Sequence, residues 1–226
     1  MAVVVILLIA AVVTFAIFSA MASAKHRKEL EAWAQSRGLA FDASSDYGFE
    51  NRYNFDCLRG GERNRYAYNI MRGSLAKRDA VAFDYHYETT STDKDGRTET
   101  HNHYFSAVIL GSEVPLKPLF LRPEGFFDKV TAFFGHEDIN FESAEFSRKF
   151  YVKSPDKKWA YDVIHARVME MLLTSPQFTI QFDHDCVIAT RSATFAAADF
   201  ESAIKVVAGM LDSMPEYLVK QQRETA

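Results

Sequence analysis

The chain has 226 residues, 48% hydrophobic and 25% charged, which suits one domain and argues against disorder, collagen-like sequence or a polytopic membrane protein. Lys plus Arg number 26 against 30 Asp plus Glu, and a formal charge of −4 leaves no basic footprint for nucleic acid. Two cysteines, Cys57 and Cys186, neither staple a secreted scaffold nor complete a four-thiolate zinc site.

From Ala2 to Ala24 the chain carries no charge and is rich in Val, Ile, Leu, Ala and Phe. As a helix this run would extend about 34 Å, against a hydrocarbon core of about 30 Å. The pattern predicts a retained transmembrane helix. A cleaved signal peptide is the competing reading, since Ala22-Ser23-Ala24 resembles a cleavage site, but no Lys or Arg precedes the run. Lys25, Arg27 and Lys28 flank it on the C-terminal side, so the positive-inside bias predicts a cytoplasmic domain on a bacterial inner (cytoplasmic) membrane.

Residues 29–37 continue with helix formers up to Gly38, a C-terminal cap. Residues 41–61 read as loop with one short strand. Arg65–Arg72, Asp79–Thr90 and Arg97–Leu110 read as an antiparallel meander, the last two joined by a turn at Asp93–Gly96. In that hairpin Phe83, Tyr85 and Tyr87 share one face, and Asp84, His86 and Glu88 the other. Leu119–Arg122 is a short strand, and Pro123–Gly135 a helix with an apolar stripe of Phe126, Phe127, Val130, Phe133 and Phe134. This stripe is read as core, with a lipid-surface contact as its alternative. A one-turn helix near Ser143–Arg148 and a strand at Lys149–Lys153 follow. Ser154-Pro155-Asp156 then starts a helical region, with Ser154 as cap and Pro155 at the first position, that reaches about Thr174 with a break near His165. Phe178–Phe182 and Cys186–Thr190 form a second hairpin, and a helix over Asp199–Met214 precedes Pro215 and a frayed tail at 219–226.

Phe83-Asp84-Tyr85-His86-Tyr87, Leu121-Arg122-Pro123-Glu124 and Asp138–Ser143 form one set of motifs. Phe146–Val152 and Ser154, Asp156 and Ala160 extend it. Together these resemble a family of uncharacterised bacterial single-pass membrane proteins with a cytoplasmic domain of unknown function. The resemblance covers most of 28–218 and implies the architecture and a bacterial source. It implies no catalytic residue.

His86, His101 and His103 are the nearest approach to a metal cluster. An even-length loop around Asp95 would bring all three to one face, where imidazoles could bind zinc with Asp84 or Glu88 in support. The plainer reading is a solvated polar face. His136-Glu137-Asp138-Ile139-Asn140 lacks the second histidine of the metalloprotease helix motif. Cys186 lies two residues from His184, but no oxyanion donor or orienting group accompanies them, and both cysteines read as structural. Arg122, Glu124, Asp138, Glu142 and Arg148 gather charge that could hold a polar ligand, or cap helices and pair locally. No G-x-S-x-G, Walker A, G-x-G-x-x-G or C-x-x-C occurs.

The sequence therefore predicts an α+β protein. A transmembrane anchor with its basic flank (1–27) would precede a single domain of antiparallel hairpins packed with amphipathic helices (28–218) and a tail (219–226). The expected role is a binding, regulatory or structural module with no catalytic residue and no cofactor. Its partners would be the bilayer, through residues 2–24, and an unidentified protein, but no nucleic acid. The rival is a metal-dependent hydrolase using His86, His101 and His103, and a lipid-surface-binding module is a third reading.

Overall fold

The computed structural model describes residues 2–61, 63–125 and 138–224. Among these residues eight strands form one antiparallel sheet in the order β1-β2-β3-β4-β8-β7-β5-β6. In chain order they are β1 (Ala40–Asp42), β2 (Arg63–Leu75), β3 (Arg78–Thr92), β4 (Thr98–Gly111), β5 (Leu119–Pro123), β6 (Phe150–Lys153), β7 (Thr179–Phe182) and β8 (Cys186–Arg191). The two predicted hairpin systems thus join edge to edge, β4 pairing with β8 through Val108↔Ala189.

The helices are α1 (Ala2–Ser36), α2 (Ala144–Lys149), α3 (Lys157–Val163), α4 (Ala166–Thr174), α5 (Ala197–Asp212) and α6 (Glu216–Glu224). Ser143 and Asp156 cap α2 and α3 by accepting the backbone N–H of Phe146 and Trp159. The predicted break near His165 separates α3 from α4. The expected tail is instead α6, which buries Leu218. Leu218 gives this amphipathic turn a reason to dock that local polarity conceals. The predicted phenylalanine helix, with Phe126, Phe127, Val130, Phe133 and Phe134, lies outside the described residues, as do His136 and Glu137.

The N-terminal expectation is corrected. α1 runs without a break through Lys25–Lys28 to Ser36, where Gly38, at φ +69°, ends it and Leu39 N–H reaches back to the Ala34 carbonyl. Among the described residues no helix is long and apolar enough to cross a membrane. The single-pass membrane assignment and the inner-membrane localisation are overturned with it. The charge-free run is not an element of its own: it is the first part of a helix whose last turns carry Leu30, Trp33 and Ala34 into the domain core. Trp33 stacks on Phe200 of α5 at 5.3 Å and donates to Glu201 Oε1 at 2.7 Å.

Two apolar layers sandwich the sheet. On one face the end of α1 and helices α2–α6 cover Ala82, Val108, Ala189 and Phe182. On the other, the segment 49–58 lays Phe49, Phe55 and Leu58 over Phe83, Tyr85, Phe105 and Ile188. Both faces being buried explains why β3 and β4 read partly as continuous apolar runs rather than as clean alternation.

Candidate functional site

The β3–β4 turn comprises residues 93–97, because Thr92 pairs with Thr98. Five residues is an odd count, so directly opposed residues have the same parity. His86 therefore lies opposite Tyr104, whereas His101 and His103 lie opposite Thr89 and Tyr87 on the other face. The expected even-length loop is absent, and the three histidines are not brought together. His86 is buried between Tyr66 and Tyr104; Nδ1 donates to the Asn64 carbonyl at 3.0 Å and Nε2 lies 2.9 Å from the Asn102 amide. His103 and His101 bond Thr89 and Ser91 hydroxyls, each at 2.8 Å. Among the described residues no group of three His, Cys, Asp or Glu is placed to hold a metal.

The other expected sites disperse as well. Arg122 stacks on Tyr151 at 4.3 Å and donates to the Pro123 carbonyl, Asp138 accepts from Val152 N–H, and Glu142, Glu124 and Arg148 are exposed. Cys186 is buried, and burial pushes its thiol well above its ordinary range, the opposite of an activated nucleophile.

Two arrangements emerge that sequence reasoning missed. The first is a buried polar centre under α1. Asp84 is fully buried and accepts from Asn69 Nδ2 (2.9 Å), from the Ser106 hydroxyl and from His26 Nε2 (2.9 Å). Asn69 reaches it because β2 bulges between Tyr68 and Met71, and Asn69 itself takes a left-handed φ of +48°. Ser106 also accepts the Phe195 N–H at 2.8 Å, tying the centre to the start of α5. The hydrogen bond to Asp84 is the main cause holding the His26 imidazole above its usual range, with the Asp84 and Glu29 charges adding to it against desolvation.

The second is a cleft of about 530 Å³ on the opposite face, between the sheet and the loop 56–61. Phe105, Phe120 and Ile188 line it from the strands, and Cys57, Gly60 and Gly61 from the loop. The loop is held in place at several points. Phe55 and Leu58 are fully buried, Tyr85 donates its hydroxyl to the Leu58 carbonyl at 2.7 Å, and Asp56 N–H donates to Gln181 Oε1 at 3.1 Å. Gly61, at φ +76°, lies so close to Tyr87 that an added Cβ would stand 2.4 Å from Cδ2. Tyr87 stacks on His103 at 4.7 Å with 10° between the rings. The cleft is preformed by packing.

Its polar groups come from β7 and β8 and, towards the far end, from Thr89 on β3 and Asn102 and His103 on β4. Gln181 is only 5% exposed; its carbonyl oxygen holds the loop, and its NH2 donates to no acceptor among the described residues. Thr179 and Thr190 flank it, and Thr190 Oγ1 donates to the Ser106 carbonyl at 2.8 Å. Arg191 contributes to the rim, but its guanidinium lies 2.8 Å from Asp199 and over the Phe195 ring. Apolar floor, directed neutral polar groups and a volume within the roughly 300–1,000 Å³ of ligand pockets suit small-molecule binding. Among the described residues the hydroxyl–imidazole pair lining the cleft is Thr89 with His103, at 2.8 Å. A hint lay in the sequence: Gln181 and Thr179 interrupt an otherwise apolar hairpin strand.

The sequence matches no family model, and no curated protein matches it. The fold is similar to the crystal structure of the mycobacterial trehalose monomycolate transport factor A, TtfA. The TM-score is 0.60 with 13% sequence identity, over 84% of this chain and 96% of that one. At that identity the likeness establishes a shared fold.

Proposed function

We propose that the protein is a binding module that holds an amphiphilic small molecule in the cleft beneath loop 56–61 and works without catalysis. The observation that carries this reading is the cleft itself, preformed, apolar on its floor and fitted with the buried Gln181 amide. The fold supports it, since a protein of the same fold is named as a transport factor for trehalose monomycolate. A transport-associated role would require a protein partner to deliver or receive the ligand. The metal-hydrolase alternative loses its premise, because His86 and His101/His103 occupy opposite faces.

Cys57 supplies the test. It lines the cleft and is partly accessible, whereas Cys186 is buried with its thiol pushed up. Maleimide labelling followed by mass spectrometry should therefore modify Cys57 first, and octanol should slow that labelling saturably. Thr190→Phe, which fills the cleft, should remove the protection. A labelling rate indifferent to octanol and equally to octyl glucoside, octyl phosphate and octyltrimethylammonium would refute the cleft as a binding site.

A further inference from the structure

The geometry points to a neutral, hydroxyl-rich headgroup as the polar end of the ligand, bound at Gln181, Thr179 and Thr190; this rests on the cleft being the binding site. An anionic headgroup would need a cation aimed into the cleft. Among the described residues Arg191 is the only Lys or Arg that lines it, and that guanidinium is turned to Asp199 and the Phe195 ring on the helix-covered face. Among the described residues Asp56 is the one acid on the wall, and its charge opposes a phosphate or carboxylate.

A quaternary ammonium would need open aromatic faces around it. The Tyr87 ring is stacked against His103 and closed in by Gly61, so no cage is formed there. Besides Asp56 and the His103 ring, what the cleft offers is uncharged and directional. Gln181 presents an amide NH2 from a side chain 95% removed from solvent by its 5% exposure, oriented because the same amide's oxygen is held by Asp56 N–H. Thr190 has its proton directed to the Ser106 carbonyl, which leaves its oxygen to accept, and Thr179 can do either. A donor, an acceptor and an ambivalent hydroxyl above the Phe105 and Phe120 rings match a polyol, whose hydroxyls exchange both roles and whose C–H faces pack on apolar surface. Sugars are the commonest such headgroup.

The test uses the full chain and four probes of one alkyl length, scored by protection of Cys57 from maleimide. They are octyl glucoside below its micelle concentration, octyl phosphate, octyltrimethylammonium and octanol. Octyl glucoside should protect roughly tenfold more tightly than octyl phosphate, the scale expected where buried polar groups are either satisfied or left unpaired. Gln181→Met should reduce octyl glucoside protection to the level that octanol gives on the same variant. Should that variant melt early, Thr179→Val at the half-buried rim makes the same comparison. Equal or tighter binding of octyl phosphate or octyltrimethylammonium would overturn the headgroup assignment while leaving the cleft intact. Protection by none of the four would instead overturn the cleft itself.

Discussion

At the scale of single residues, backbone conformation does much of the positioning. Gly61 combines a positive φ with contact against Tyr87 Cδ2 and the Glu88 carbonyl, where an added Cβ would lie 2.4 and 2.6 Å away. Gly61→Ala should therefore lower stability by about 1–3 kcal/mol, from left-handed strain and forced movement of Tyr87. A urea melt measures this, and a wild-type midpoint would show that the loop yields freely. Asn69 illustrates the same economy in the other direction. Asparagine tolerates the left-handed region better than most residues, so one bulged position can turn its amide onto Asp84. Asp84→Ala leaves the Asn69, Ser106 and His26 donors without their buried acceptor and should cost about 3–5 kcal/mol. A loss below about 1 kcal/mol in equilibrium unfolding would mean that water or rearrangement replaces the carboxylate.

Among elements, α1 is attached through a contact that depends on pH. His26 reaches Asp84 across the interface between helix and sheet, and Glu29 on α1 adds a second negative charge near it. Its folded-state pKa is raised above the ordinary 6.5. The folded state thus binds the proton more tightly than the unfolded chain. The stabilisation is fully present below about pH 6.5 and is lost as pH rises through the folded-state value. The stability difference between wild type and His26→Gln should be largest near pH 5.5 and shrink towards pH 9. Denaturant melts of both proteins at the two pH values check it; a difference that grows with pH would contradict the assigned bond. The β3–β4 hairpin makes a complementary point about elements. Its partition of Phe83, Tyr85 and Tyr87 from Asp84 and His86 follows from strand periodicity alone. Which histidines oppose which partners depended on one residue of turn length, and that count changes the whole face.

For the whole molecule, the division of labour is between two faces of one sheet. The helix-covered face supplies most of the apolar core, and the loop-covered face supplies the cleft. Because Leu30 and Ala34 are fully buried and Trp33 nearly so, α1 completes that core. A fragment of residues 24–226 should unfold cooperatively, retaining both these contacts and His26. A fragment of 38–226 should not, since it exposes the surfaces of Phe200 and Met71 that α1 covers. Calorimetry on the pair decides it, and a sharp transition in the shorter fragment would show α1 to be dispensable.

The sequence by itself determined the local elements. Strand periodicity in Asp79–Thr90, the Gly96 turn, the helix start at Ser154–Asp156 and the apolar face of α5 all act over a few residues, and each element formed close to its predicted bounds, although Asp156 and not Ser154 caps α3. Hydropathy along 2–24 was equally local, and it misled: the fate of that run rests on where residues 25–36 dock, which no window over the run contains. Only tertiary structure decided the edge-to-edge union of β4 with β8, the burial of Asp84 beneath His26, and the meeting of loop 56–61 with Gln181. Those partners lie 58 and 125 residues apart in the last two cases. Their chemistry depends on relative position to a fraction of an ångström, which the packing of both faces sets and residue order does not express.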